Sequence, residues 1–133
     1  MSKIIATVVE IETYENITLV KFEVSSQFLS MMSLDISSDI NVGTRVKLLI
    51  NSSHVAIAKE FSGKVSYSNQ IETKIKTLKN GNLLSHVSLA FGENTLESII
   101  TKNSSLRMNL NEGESVTAFI KASEISIVEV LND

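Results

Sequence analysis

The sequence predicts a mainly all-β chain folded as two small β-barrels in tandem, each with one short helix or helical turn. Three features point there. β-branched and aromatic residues alternate with polar ones along several stretches, which is the two-residue period of a strand. Gly, Asn and Asp separate these stretches and supply the turns, in a chain of 133 residues with no proline. Finally, a frame near the middle of the chain recurs near its end. Asn41-Val42-Gly43 lies over Asn111-Glu112-Gly113, Val46 over Val116, Ile50 over Ile120, Ser53 over Ser123, Val55 over Ile125 and Ile57 over Ile127, all at one offset. The repeat divides the chain into units 1–62 and 63–133. Each has five short strands, with the helical turn before the fourth. Units this small bury little alone, which favours mutual packing or oligomerisation.

The elements follow in order. Ile4 to Ile11 is rich in β-branched residues and reads as a strand, with Thr13-Tyr14-Glu15-Asn16 as the turn after it. Ile17 to Val24 hairpins back, with Thr18, Val20, Phe22 and Val24 on one face and Ile17, Leu19, Lys21 and Glu23 on the other. Gln27 to Met32 is a third strand. Ser33 to Ser38 is turn-like or a single helical turn, with Ser33 or Asp35 placed as N-cap. Asn41-Val42-Gly43 turns into a strand from Arg45 to Ile50, Asn51-Ser52-Ser53 breaks it, and Val55 to Ala58 closes the first unit. Lys59 to Lys64 is the linker, and its shortness predicts units packed together.

The second unit repeats this order. Gln70 to Leu78 is a strand, and Asn80-Gly81 is a strong hairpin signal. Leu83 to Phe91 alternates, with Leu83, Val87, Leu89 and Phe91 on one face and His86 and Ser88 on the other. Thr95 to Ile100 is a strand, and Thr101 to Met108 a short helix with Thr101 as N-cap. Then Val116, Ala118 and Ile120 alternate with Thr117, Phe119 and Lys121 before a polar break and a last short strand. That break, Lys121-Ala122-Ser123, offers an ammonium, a hydroxyl and backbone N–H groups in three consecutive residues. This is the equipment for holding a small anion.

Composition narrows the function further. A net charge of −3 and a pI of about 5.4 weigh against nucleic acid as a partner, and exposed aromatics for base stacking are scarce. There is no cysteine, hence no disulfide framework, thiolate metal site or cysteine nucleophile. No apolar run approaches the roughly 20 residues of a membrane helix, and no secretory signal opens the chain, so the expectation is a cytoplasmic protein without a membrane partner. No Walker loop, Gly-x-Ser-x-Gly or His-Glu-x-x-His occurs, so enzyme is the least favoured class. His54 and His86 stand without a carboxylate or second histidine at ligand spacing and read as surface or interface residues. Met31, Met32 and Met108 read as core or subunit-contact residues.

Three segments of the second unit resemble the Mop domain of molybdate-binding proteins, part of the TOBE family of OB-like barrels. Ser66-Tyr67-Ser68-Asn69-Gln70 resembles the family's Ser-Ala-Arg-Asn-Gln opening. Ile100-Thr101-Lys102-Asn103-Ser104 resembles its Ile-Thr-x-x-Ser segment. Glu112-Gly113 with Val116 to Ser123 resembles its Glu-Gly and Val-x-Ala-x-Ile-Lys-Ala-Ser segment. The whole is similar to the di-Mop proteins. The resemblance implies a cytoplasmic binder of molybdate or tungstate, with no other cofactor and no catalysis, and with sites between the subunits of a homotrimer. It implies Lys121, Ala122 and Ser123 as the main contacts, Thr101 and Ser104 next, and Ser66, Ser68 and Asn69 closing the site. Two departures stand out. The family's arginine is Ser68 here, which removes a charged hydrogen bond of about 1.5–3 kcal/mol. In the first unit Asn51, Ser52 and Ser53 replace Lys-Ala-Ser, and Met31-Met32-Ser33 replaces Ile-Ile-Thr, so Asn51, Ser52, Ser53 and Ser33 form a weaker set of neutral donors. These departures carry the alternative reading, a degenerate Mop protein that senses ligand or binds a protein partner with little oxyanion affinity.

Overall fold

The computed structural model describes residues 1–131. Ten strands are present: β1 (Ser2–Tyr14), β2 (Ile17–Val24), β3 (Gln27–Ser33), β4 (Arg45–Ile50), β5 (Ala56–Ala58), β6 (Asn69–Asn80), β7 (Leu84–Phe91), β8 (Asn94–Thr101), β9 (Ser115–Ile120) and β10 (Ile125–Leu131). One α-helix, α1 (Lys102–Arg107), follows β8, and 3₁₀ turns occupy Ser52–His54 and Ala122–Glu124. The strands form two curled five-stranded sheets that resemble OB-like barrels, ordered β10-β4-β1-β2-β3 and β5-β9-β6-β7-β8. No helix among the described residues is long and apolar enough to cross a membrane.

The order of the sheets differs from the sequence reading at one point. The stretch expected to close the first unit, Val55 to Ala58, instead pairs with β9 of the second, placing Ala56 opposite Phe119 and Ala58 opposite Thr117. In return β10 pairs with β4, placing Ile125 opposite Ile50. Each unit supplies four strands to its own sheet and the fifth to the other. The reason is local. The 3₁₀ turns after β4 and β9 redirect the chain, so the strand that follows cannot fold back on the one before it.

The repeated Asn-x-Gly turns do identical work in both sheets. Gly43 N–H donates to Val8 O (2.7 Å) and Val8 N–H to Thr44 O (2.9 Å). Gly113 N–H donates to Ile75 O (2.7 Å) and Ile75 N–H to Glu114 O (2.9 Å). Both glycines have positive φ, +95° and +88°, a conformation that side chains disfavour. Both hinge strands also shift register there, β1 between Val8 and Glu10 and β6 between Ile75 and Thr77. A bulge at that point increases twist and lets a sheet curl.

Alternation places the core. In β2, Thr18, Val20, Phe22 and Val24 are buried, as their spacing predicts. Ile4, Val46, Leu48 and Ile50 pack into the same cluster as Ile71, Leu89, Leu96, Ile120 and Ile125, so one apolar core runs through both sheets. Two expected positions differ. Leu83 lies in the hairpin turn and is 81% exposed, while Ser85 takes the inward position and donates to Asn80 Oδ1. Phe119, expected on an outer face, is buried because the linker, which in the structure runs from Lys59 to Ser68 between β5 and β6, crosses it. Its ring meets Phe61 edge-on and stacks on Tyr67, both with centroids 5.1 Å apart. Lys59 fastens the same linker, donating to Asn109 O (2.7 Å) and pairing with Glu114 (3.1 Å).

The helix expected at Thr101 forms, and Thr101 caps it. Of the two alternatives at Ser33 to Ser38, the turn-like one is found and the helical turn does not form. There, Ser33 Oγ donates to Asp35 O (2.7 Å) and accepts from Asp35 N–H (3.3 Å), a local ring that competes with helix. The first unit's helical turn is instead the one at Ser52–His54.

Two side-chain amides join the sheets where β3 meets the start of β6. Asn69 Oδ1 accepts from Ser30 N–H (2.6 Å) and its Nδ2 donates to Ser30 O (3.0 Å). Gln27 Nε2 donates to Glu72 O (2.9 Å) and its Oε1 accepts from Glu72 N–H (2.9 Å). Asn69 is fully buried, whereas the Gln27–Glu72 pair is exposed. Asn69→Ala is therefore expected to cost about 2 kcal/mol, since Ser30 loses two partners away from water. Gln27→Ala is expected to cost under about 1 kcal/mol, because water replaces the amide. Urea denaturation of the two variants beside the parent chain measures both.

Candidate functional site

The polar break Lys121-Ala122-Ser123 is the point where the chain leaves one sheet for the other. β9 ends at Ile120, the 3₁₀ turn Ala122–Glu124 intervenes, and β10 begins at Ile125 in the opposite sheet. The first unit has the same crossover, from β4 through Ser52–His54 into β5. The backbones match: Lys121 has φ −70° and ψ 146°, and Asn51 has φ −73° and ψ 129°. A crossover necessarily frees backbone donors, since it belongs to neither ladder.

The side chains at the two crossovers differ. Asn51 Oδ1 accepts from Ser53 N–H (3.0 Å) and from Ser53 Oγ (2.9 Å). The first crossover therefore satisfies its own donors. Lys121 makes no such cap, and the turn after it has no side-chain capping hydrogen bond. Its one closing bond runs from Glu124 N–H to Lys121 O (3.0 Å). Lys121 is exposed, Ser123 exposed and Ala122 half-buried.

A cavity of about 360 Å³ opens beside Lys121. Its polar lining is Ser53, His54, Tyr67, Lys121 and Glu124, and Ile99 and Ile100 of β8 add apolar wall. His54 Nδ1 lies 2.8 Å from Glu124 Oε2, so the two crossovers touch through these side chains. Ser98 Oγ, buried, donates to Val55 O (2.7 Å) and holds β8 against the first crossover.

Of the other candidate site residues from the sequence, only Ser53 lines this cavity; Ala122, Ser123, Thr101, Ser104, Ser66, Ser68 and Asn69 are not among its lining. Thr101 Oγ1 accepts from Ser104 N–H (3.1 Å) and donates to Ser104 Oγ (2.9 Å), so the two hydroxyls engage each other at the start of α1. Ser66 and Ser68 are exposed on the linker, and it is Tyr67, between them, that reaches the cavity. Asn69 holds Ser30, as described above. Ser52 is buried behind Ser53. Ser33 lies apart, in a second cavity of about 360 Å³ between β3 and β10, with Asp35, Ser37, Ser126 and Glu129 among its lining. That cavity is lined by carboxylates without a lysine, whereas the first is lined by both Lys121 and Glu124.

The cavity beside Lys121 also includes residues that the sequence reading passed over. His54 was expected to be a surface or interface residue without a carboxylate partner, yet it pairs with Glu124. A signal for this was present, because His54 and Glu124 occupy the same place in the repeated frame. Tyr67 could have been found from its place between Ser66 and Ser68.

Residues 66–127 match the family model described as the TOBE domain. The second unit thus carries a TOBE domain over that span. Among solved structures, this protein is similar to the cytoplasmic molybdate-binding protein ModG in a form with molybdate bound. The match has a TM-score of 0.86 at 21% identity and covers 94% of this chain and 93% of that one. The two-unit fold is thus shared along the whole length. A molybdate-binding protein from Sporomusa ovata matches at 30% identity and a TM-score of 0.46, covering 53% of this chain and 100% of that one. No curated protein sequence matches this chain.

The geometry at α1 makes one stability prediction. Thr101→Ala removes the only side-chain cap of that helix. It is expected to lower stability by about 1 kcal/mol, read as a shift of the urea midpoint at unchanged slope.

Proposed function

We propose that this protein binds molybdate or tungstate as an intact oxyanion, for storage or buffering in the cytoplasm, and catalyses no reaction. The observation that carries this reading is the uncapped crossover at Lys121. There Lys121 lines a cavity, and the 3₁₀ turn that follows it, with the Ser123 hydroxyl and its backbone N–H groups, has no side-chain cap. An oxyanion with four acceptor oxygens matches that donor set. The shared fold with a molybdate-binding protein supports it, as does the TOBE match over the segment that contains Lys121.

In this reading Lys121 supplies charge, Ala122 and Ser123 supply backbone and hydroxyl donors, and Thr101 with Ser104 present hydroxyls from the neighbouring helix start. Ser66 and Ser68 lie on the linker that brings Tyr67 to the cavity, and Asn69 positions the base of that arm through Ser30. The first crossover is the weaker binder, because Asn51 already occupies the donors of Ser53. Its Ser52 and Ser33 face other surroundings. The working assembly is a homotrimer, in which subunit interfaces close sites that remain open in one chain; the linker and the two units, 1–62 and 63–133, repeat around it. A degenerate Mop protein, serving as a sensor or interaction module, is the second reading. Ser68 at the family's arginine position favours it.

Calorimetric titration with molybdate, tungstate and sulfate separates the two. Storage predicts saturable binding of the first two ions but not of sulfate, at fewer than one ion per unit. Lys121→Ala is expected to weaken binding at least tenfold, about 1.4 kcal/mol, by removing a charged hydrogen bond. Ser68→Arg is expected to tighten it by a similar factor. An absence of heat with all three ions, and of any thermal shift, would leave the second reading standing.

A further inference from the structure

The cavity beside Lys121 is built by both units and the linker between them. Ser53 and His54 come from the first crossover, Lys121 and Glu124 from the second, and Tyr67 from the linker. The charge of this cavity depends on one group. Lys121 and Glu124 carry opposite charges of equal size, so they cancel when the imidazole of His54 is neutral. When that imidazole is protonated, the lining gains one net positive charge. No arginine or second lysine is among the lining residues. The groups around His54 are Glu124 on the 122–124 turn, Lys121 before it and Tyr67 on the linker. β8, packed against the 52–54 turn, presents the apolar Ile99 and Ile100 there.

We infer that His54 is an anion-binding residue of the Lys121 site, that it is protonated when the oxyanion is bound, and that Glu124 positions it. This rests on the oxyanion reading above. The physical ground is the shared cavity and the 2.8 Å contact between His54 Nδ1 and Glu124. A carboxylate accepting at Nδ1 fixes the orientation of the ring, and in the protonated ring Nε2–H is a second donor. The imidazolium then provides a cation in a cavity where the linker carries Ser68 instead of arginine. Lys121 cannot do this alone, since the nearby Glu124 offsets its charge toward a dianion.

Linkage sets the direction of the pH effect. If the bound state holds one proton more than the free state, affinity rises as pH falls through the range in which imidazoles titrate. Molybdate titration of the intact chain between about pH 8 and about pH 5.5 is expected to show roughly tenfold tighter binding at the acid end. His54→Gln is expected to bind at the weak, alkaline level throughout, with a flat profile. His54→Lys, permanently charged, is expected to bind at the tight level, also flat. Glu124→Gln removes the repelling carboxylate, so it is expected to bind more tightly than the parent chain at the alkaline end.

A His54→Gln profile that still follows the parent would overturn the inference while leaving the oxyanion reading intact. Failure of the parent chain to bind molybdate at any pH would overturn the oxyanion reading and this inference with it. Should His54→Gln fold poorly, Glu124→Gln decides, since unchanged or weaker binding there contradicts the charge argument.

Discussion

Neither sheet can complete its backbone hydrogen bonding without the other half of the chain. β4 presents an edge to β10, and β9 presents one to β5. An unpaired edge buried against a barrel core strands polar groups away from water. The exchange resolves this for both sheets at once. It also explains how two units of modest length hold together. Neither could bury much alone, but the apolar cluster runs from Ile4 through Ile50 to Ile71 and Ile125 without a break. Folding of one unit is therefore coupled to folding of the other by pairing as well as by packing.

The same exchange creates the candidate site. A chain that crosses between sheets must leave both ladders for a few residues, and its donors there become available. Two crossovers arise with nearly the same backbone angles, and one side chain decides what each becomes. Asn51 turns its oxygen back on Ser53 and closes the turn. Lys121 is too long and has no acceptor to do so. The divergence of two repeats from a common frame thus appears as a difference in capping. The two cavities show it too, one lined by Lys121 and the other by Asp35 and Glu129.

Much of this fold was legible in the residues. The alternation of β2, the Asn-x-Gly turns and the Thr101 cap each rest on neighbours a few positions apart, and local chemistry specifies them. The exchange was not legible. Val55 to Ala58 reads as a strand whichever sheet it joins, and partner choice is set by where the 3₁₀ turn aims the chain. For the same reason the cavity was only half visible. Lys121 and Ser123 stood out by residue type and spacing, but His54 acquires its carboxylate only when the two crossovers meet. Phe119 shows a related limit. Its burial comes from Phe61 and Tyr67 folding over it, and no periodicity within β9 encodes that cover.

The two amide clamps between β3 and β6 have a consequence for the protein in a crowded solution. Ser30 with Asn69, and Gln27 with Glu72, are pairs at the spacing of an antiparallel ladder, yet each carries a side chain where a strand would offer backbone. The outer edge of β3 is thereby occupied at Ser30 by something that cannot be extended. Exposed edges with unmet N–H and C=O groups recruit further strands and seed aggregates. A counterfeit rung takes up those groups and presents no new edge in their place, so the sheet ends there and does not template another.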